Sequence, residues 1–219
     1  MDNELKNLIL KTGTSILGIA CKDGVIMAAD RQTSLGESIV ASKKTLKVVK
    51  INDYVAIAEA GVVSDIQLLI KLLRAELRLK ELKSRSRPTV KQSANLMASL
   101  VYNNIRKYST IPGITAFLIA GFDKNGSTKL FSLDPAGALM EEEEYYSNGS
   151  GQTFILGLLE RQYKKDMTIK QGVELAIECL KSSTQRDMGS GYGIDVFSIT
   201  KDGIKREVSQ EIQSVYKDE

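Results

Sequence analysis

The hydrophobic period of this sequence switches from two residues to about 3.6 and back, and does so twice, which limits the folds open to it more than any other feature. Thr14 to Cys21 and Val25 to Ala29 are apolar, β-rich runs on either side of Lys22-Asp23-Gly24, and an Asp-Gly step between such runs signals a hairpin. Lys47 to Ile51 and Tyr54 to Ala60, joined through Asn52-Asp53, repeat the pattern, so the first quarter of the chain reads as antiparallel sheet. Then Ile66, Leu69, Ile70, Leu73 and Leu77 fall on one helical face, while Lys71, Arg74, Arg78 and Lys80 largely take others. Ser64-x-x-Gln67, Thr89-x-x-Gln92 and Thr168-x-x-Gln171 each have capping-box spacing and predict three helix starts. Strands return over 114–122 and 128–133, closed by Asp123-Lys-Asn-Gly126 and Asp134-Pro-Ala-Gly137. Residues 152–164 read as a further helix, and 193–200, the turn Lys201-Asp-Gly203 and a last strand into Val208 close the chain. Strands at both ends, helix pairs between them and no linker-like stretch predict one α+β domain with helices covering sheet faces.

Composition narrows the chemistry. The 219 residues contain no histidine, which removes every mechanism that needs imidazole as base, metal ligand or proton shuttle. The two cysteines, Cys21 and Cys179, form no C-x-x-C pair, so neither a thiolate zinc site nor a disulfide framework is expected; buried reduced thiols are. Apolar residues make up 42% and charged residues 26%, which excludes disorder and fibrous repeats. Met1 to Lys11 opens with Asp2 and Glu4 and has only Leu8-Ile9-Leu10 as an apolar run, so it does not read as a secretory signal. No window approaches the roughly 18 apolar residues of a membrane span, and a net charge of +3 does not by itself imply nucleic acid. No metal, cofactor, membrane or nucleic acid is expected, and the location expected is cytoplasmic.

Without imidazole, hydrolysis needs another base, and an N-terminal threonine supplies one: its own α-amine, with an ordinary pKa of about 7.7 to 8.0, activates its hydroxyl. Such a threonine must follow a removable leader ending at a flexible residue, and Gly13-Thr14 offers that step, glycine tolerating unusual backbone angles. The run Gly13-Thr14-Ser15-Ile16-Leu17-Gly18 is followed by Lys22-Asp-Gly-Val-Ile-Met-Ala-Ala-Asp30-Arg31 and Ala60-Gly61-Val-Val-Ser64-Asp65-Ile-Gln67. Further on stand Asp134-Pro-Ala-Gly137, Gly149-Ser150-Gly151 and Gln185-Arg-Asp187-Met-Gly-Ser190-Gly191. In this order and spacing they resemble the proteasome β subunits of archaeal type, within the N-terminal-nucleophile hydrolases, over essentially the whole chain after the leader.

The resemblance implies a four-layer αββα sandwich of two antiparallel sheets flanked by helices, with residues 1–13 a removable propeptide and 14–219 a single peptidase domain. It implies Thr14 as nucleophile, Asp30 and Lys47 as its charged pair, and Ser150, Asp187 and Ser190 as the polar group holding the α-amine. It also implies Gly61 as the backbone donor to the tetrahedral intermediate, and Ser34, Glu59 and Val63 as the substrate pocket. Lys43 and Lys44 stay open as alternatives to Lys47, because the stretch after Asp30 is one residue longer than usual in such proteins. Ser15 and Ile16 stand where threonines are common. Glu59 shares a strand face with Val55 and Ile57, which suggests a preference for Arg or Lys before the cleaved bond. The activity implied is that of a threonine endopeptidase degrading unfolded polypeptide inside a chamber of stacked rings. A homo-heptameric or mixed β ring, α-subunit rings and a regulatory unfolding ATPase are the partners implied. The alternatives are an unprocessed structural subunit of the same ring and a related N-terminal-nucleophile amidase. Gly149-Ser150-Gly151 reads as a tight turn, the basic stretch from Lys71 to Arg87 as a solvated helix face, and Glu141 to Glu144 as a solvated strand end or charged contact.

Overall fold

The computed structural model describes residues 10–36 and 39–212 of the chain. One antiparallel sheet contains β1 (Leu10–Thr12), β4 (Thr33–Leu35), β5 (Ile39–Ser42), β6 (Val48–Lys50), β7 (Val55–Val62), β8 (Thr115–Phe122), β9 (Thr128–Leu133) and β10 (Leu139–Glu142). Its order is β10-β9-β8-β7-β1-β4-β5, with β6 also paired to β7. The other sheet runs β11 (Tyr145–Asn148), β2 (Ile16–Cys21), β3 (Gly24–Asp30), β12 (Gly193–Thr200) and β13 (Gly203–Glu211). Helices α1 (Val63–Ser84) and α2 (Val90–Arg106) cover the first sheet, and α3 (Gln152–Gln162) and α4 (Ile169–Arg186) cover the second.

Strand alternation builds three cores from these four layers. On β7, Val55 and Ile57 enter the α1/α2 core with Ile66, Leu73, Met97 and Phe117, whereas Ala56, Ala58 and Ala60 face the other sheet. The inter-sheet core also holds Ala29, Ala120, Ile16, Met27 and Leu118, so small side chains let the two sheets approach closely. Leu17, Ile26 and Val196 pack outward against Ile155, Leu159 and Leu180 of α3 and α4.

The five apolar residues expected on one face of the first helix are all buried on α1. The capping boxes at Thr89 and Thr168 are both formed, each threonine accepting from the backbone three residues on while that glutamine accepts in return. Ser64 is not a cap. Strand β7 passes into α1 without a loop, Val62 is the N-cap residue, and Ser64 lies inside the helix with its hydroxyl donating to Asp65. The first-quarter strands divide between the two sheets rather than forming one, because the chain crosses between layers at residues 13–15 and again at 31–32. The short strands β1, β4, β5, β10 and β11 have no counterpart in the periodicity: three or four residues are too few to show an alternation. Glu141 and Glu142 lie on β10, where Lys129 pairs with Glu141 and the Ser132 hydroxyl donates to Glu142. Most of the expected leader, residues 1–9, lies outside the described residues.

Candidate active site

Two of the chain's three crossings between the sheets meet at one place. Gly13 to Ser15 carry it from β1 in one sheet to β2 in the other, and Arg31 and Gln32 carry it back from β3 to β4. The crossings are tied together: Asp30 N–H donates to Ser15 O at 3.1 Å, and Ser15 N–H to Asp30 Oδ1 at 3.0 Å. Asp30 Oδ2 accepts from the backbone of Gln32 at 2.9 Å and of Gly191 at 3.0 Å. A carboxylate with three backbone donors is fixed in position.

Lys47, one residue before β6, reaches into this junction from the other sheet, and Thr14, Asp30 and Lys47 are all fully buried. Its ammonium donates to Asp30 Oδ1 at 2.7 Å, to Gly13 O at 2.9 Å and to Thr14 Oγ1 at 3.1 Å. Burial lowers the affinity of this amine for its proton, while the Asp30 charge opposes that shift without cancelling it. A lysine so placed can exchange a proton with the threonine hydroxyl. Lys43 and Lys44 lie elsewhere, the first over the Tyr192 ring and the second exposed near Glu211.

The remaining polar groups come from helix ends. Gly149, with φ +99°, turns β11 tightly over the carbonyl of Thr14 and sets Ser150 just ahead of α3. Asp187 is the C-cap of α4, a position the helix dipole disfavours for an acid. Donors offset that cost: Ser150 Oγ at 2.6 Å, Ser190 Oγ at 2.5 Å and Gly189 N–H at 3.2 Å. Thr14 N–H donates to Ser150 Oγ at 3.1 Å, so Asp187 orients the threonine nitrogen through one serine.

Around this cluster, β1 lies antiparallel between β4 and β7, with Thr12 opposite Gly61 and Lys11 opposite both Val62 and Ser34. Gly61 has φ +126°, and a Cβ there would strike Thr115 Cα at 2.8 Å. Val63 opens α1, partly buried. Glu59 sits on β7 with its N–H donating to Lys47 O, making the two side chains cross-strand neighbours. Only 8% of Glu59 is exposed, and its Oε2 has no hydrogen-bond partner among the described residues. Burial therefore pushes its carboxyl up to about 7, against the pull of Lys47 and Arg74.

Sequence reasoning missed several neighbours. Ser15, treated only as a replacement for threonine, has its hydroxyl 2.8 Å from Ser190 Oγ. Gln32 Nε2 donates to Met188 O at 2.8 Å and to Ser34 Oγ at 3.2 Å, tying the loop after α4 to the second crossing. Arg31 forks onto Asp195 at 2.7 and 3.0 Å, and Arg206 shares that carboxylate. Asp195 could have signalled this, since an acid within the apolar run Gly193–Thr200 requires a cation. Nor does Gly13 occupy the left-handed region, so its backbone needs no special angle in this state.

Two sheets between helix pairs, with a buried threonine, lysine and carboxylate at their junction, define an αββα sandwich of the N-terminal-nucleophile hydrolase kind. The proteasome subunit family matches residues 10–199, and the chain belongs to that family. The proteasome subunit beta of Nanoarchaeum equitans (strain Kin4-M) is 42% identical over 88% of this chain and 96% of its own length. That of Methanocaldococcus vulcanius (strain ATCC 700851 / DSM 12094 / M7) is 38% identical over 91% and 87%, respectively. That of Methanocaldococcus jannaschii is 39% identical over 93% and 88%. The chain is accordingly a β-type subunit of the proteasome core particle, in a peptidase family whose members assemble into rings with other subunits.

Proposed function

We propose that this subunit is a threonine endopeptidase that frees its own nucleophile, with residues 1–13 as a propeptide and 14–219 as the peptidase domain. The observation that carries this reading is the contact of Lys47 Nζ with Thr14 Oγ1, 3.1 Å, inside a fully buried cluster neutralised by Asp30. In the uncleaved chain the Thr14 nitrogen is an amide and cannot act as a base. The hydroxyl proton passes to the neutral form of Lys47, which burial favours, and Oγ1 attacks the Gly13 carbonyl carbon. The Gly13–Thr14 C–N bond breaks, its nitrogen takes the proton, and an ester joins Gly13 to Oγ1. Water hydrolyses that ester, leaving a Gly13 carboxylate, the Thr14 hydroxyl and a free α-amine.

Turnover reuses these parts. The α-amine, oriented by Ser150, Asp187 and Ser190, accepts the hydroxyl proton and passes it to the leaving amine of the substrate; water then releases the acyl group. The Gly61 N–H receives the developing oxyanion, a contribution of about 2.7 to 4 kcal/mol in comparable sites. Once β1 has left, an extended peptide takes its place between β4 and β7, with main-chain ladders for affinity and Ser34, Glu59 and Val63 around the side chain before the cleaved bond. Glu59, buried and with an oxygen that has no hydrogen-bond partner among the described residues, favours Arg or Lys there. The substrate is unfolded polypeptide, admitted through α-subunit rings by an unfolding ATPase to a cytoplasmic chamber of heptameric β rings.

The test is the intact mass of the subunit after co-expression with α subunits. A mass matching Thr14 to Glu219 is expected for the wild type, and a full-length mass with no peptidase activity for Thr14→Ala. A full-length wild-type subunit in active, fully assembled particles would overturn the proposal.

A further inference from the structure

The geometry points to Gly189 as the residue that selects glycine at the leader cleavage site: its backbone fills the space that any side chain at position 13 would need. A Cβ built on Gly13 would lie 2.5 Å from Gly189 Cα and 2.8 Å from Gly189 O, distances real Cβ atoms do not show. The contact is reciprocal, because a Cβ on Gly189 would lie 2.8 Å from Gly13 Cα and 2.7 Å from Ser150 Oγ. Neither glycine has a positive φ, so what confines both positions is their approach to each other rather than backbone strain.

The loop carrying Gly189 cannot easily retreat. Asp187 receives the Gly189 N–H, Gln32 holds Met188 O at 2.8 Å, and Gly191 N–H is bound to Asp30 at 3.0 Å. Those same bonds position the reacting groups. Yielding to a methyl group at 13 or 189 would therefore displace either the loop or the carbonyl that Thr14 Oγ1 attacks. A shift of about 1 Å at a reacting centre costs on the order of 100-fold in rate. After cleavage Gly13 is gone, and of the three atoms nearest a Cβ on Gly189 the Ser150 Oγ, at 2.7 Å, remains. The close approach to residue 13 thus belongs to self-cleavage, whereas in the proposed turnover the side chain before the cut bond enters the pocket near Glu59. The inference rests on Thr14 as the self-cleaving nucleophile.

The experiment compares wild type and Gly189→Ala in two forms, each co-expressed with α subunits: the full chain, followed by intact mass over time, and a chain made to begin at Thr14, assayed on fluorogenic peptides. Expected for Gly189→Ala are leader loss slowed about 100-fold and, in the chain beginning at Thr14, a distinctly smaller loss of peptidase activity, since a Cβ at 189 still meets Ser150 Oγ at 2.7 Å. Gly13→Ala in the full chain should slow leader loss to a similar degree. Leader loss at the wild-type rate in either variant would overturn the inference. So would a loss of peptidase activity in the Gly189→Ala chain beginning at Thr14 as large as its loss of leader cleavage, because Gly189 would then act through the mature site and not through its contact with Gly13. If instead the wild-type chain beginning at Thr14 is inactive, the proposed threonine mechanism itself fails, an outcome separate from these.

Discussion

Lys47 carries its amine where water does not reach, and apart from their mutual bond its partner Asp30 has three hydrogen bonds to its two. Asp30 keeps the donors from Ser15, Gln32 and Gly191 when Lys47 is removed, whereas without Asp30 the ammonium faces only the Thr14 hydroxyl and the Gly13 carbonyl. Stripping the counter-charge from a buried ion costs about 3 to 5 kcal/mol. Asp30→Ala should therefore lose about that much stability in urea unfolding, and Lys47→Met distinctly less, although both should lose turnover and leader removal. Equal destabilisation by the two would show that Lys47 supports the fold as much as Asp30 does. Glu59 gives a pH-dependent counterpart. Its folded-state value of about 7 lies above the ordinary 4.5, so the native chain holds a proton that the unfolded chain has released. Stability should fall as pH rises from about 4.5 to 7, by on the order of 3 kcal/mol from this group, and Glu59→Gln should remove that slope. Over the same titration the carboxylate forms in the proposed pocket. Cleavage after Arg relative to Leu should rise as pH passes about 7 in the wild type and stay flat in Glu59→Gln.

At the scale of elements, caps separate sequence pattern from structural role. Thr168 caps α4, the helix that ends at Asp187, and Thr168→Ala should cost about 1 kcal/mol in chemical denaturation. Ser64 has the same spacing to a glutamine but lies inside α1, so Ser64→Ala should stay within about 0.5 kcal/mol. A loss at Ser64 equal to that at Thr168 would mean that a capped start competes with the strand-to-helix passage at Val62. The spacing was ambiguous here because a capping box presupposes a chain arriving from a loop, and β7 delivers it from a sheet. Long elements were legible, since the five buried residues of α1 and the alternation on β7, β8 and β12 repeat often enough to fix a face. Short strands were not, and β1 and β4 matter most to the site because they lie beside the proposed cleavage point. Their pairing depends on partners distant in sequence, Gly61 and Val62 for β1, which no local pattern encodes.

For the whole molecule, the site reports how closely the two sheets approach. Thr14 stands just before β2 and Asp30 ends β3, whereas Lys47 stands just before β6 and Gly61 lies on β7 of the other sheet, so their separations are set by the inter-sheet core. That core is narrow because Ala56, Ala58, Ala60, Ala29 and Ala120 line it, and Ala58 pairs with Val48, next to Lys47. The sequence showed these alanines only as members of apolar runs; that their smallness matters depends on a facing sheet, which motif order alone could imply. Ala58→Leu inserts volume between the layers, for which overpacking costs about 1 to 3 kcal/mol, and the cheapest relief is a slight separation of the sheets. A separation of about 1 Å at Lys47 would lengthen its 3.1 Å contact with Thr14 Oγ1 and lower turnover on the order of 100-fold. Met97→Ala, in the outer core beneath α2, removes more stability, about 2 to 5 kcal/mol, yet leaves both crossings untouched. Urea unfolding and peptide turnover measured on the same preparations should therefore rank the two variants in opposite order. Matched rankings would mean that the site depends on overall stability and not on the spacing of the sheets.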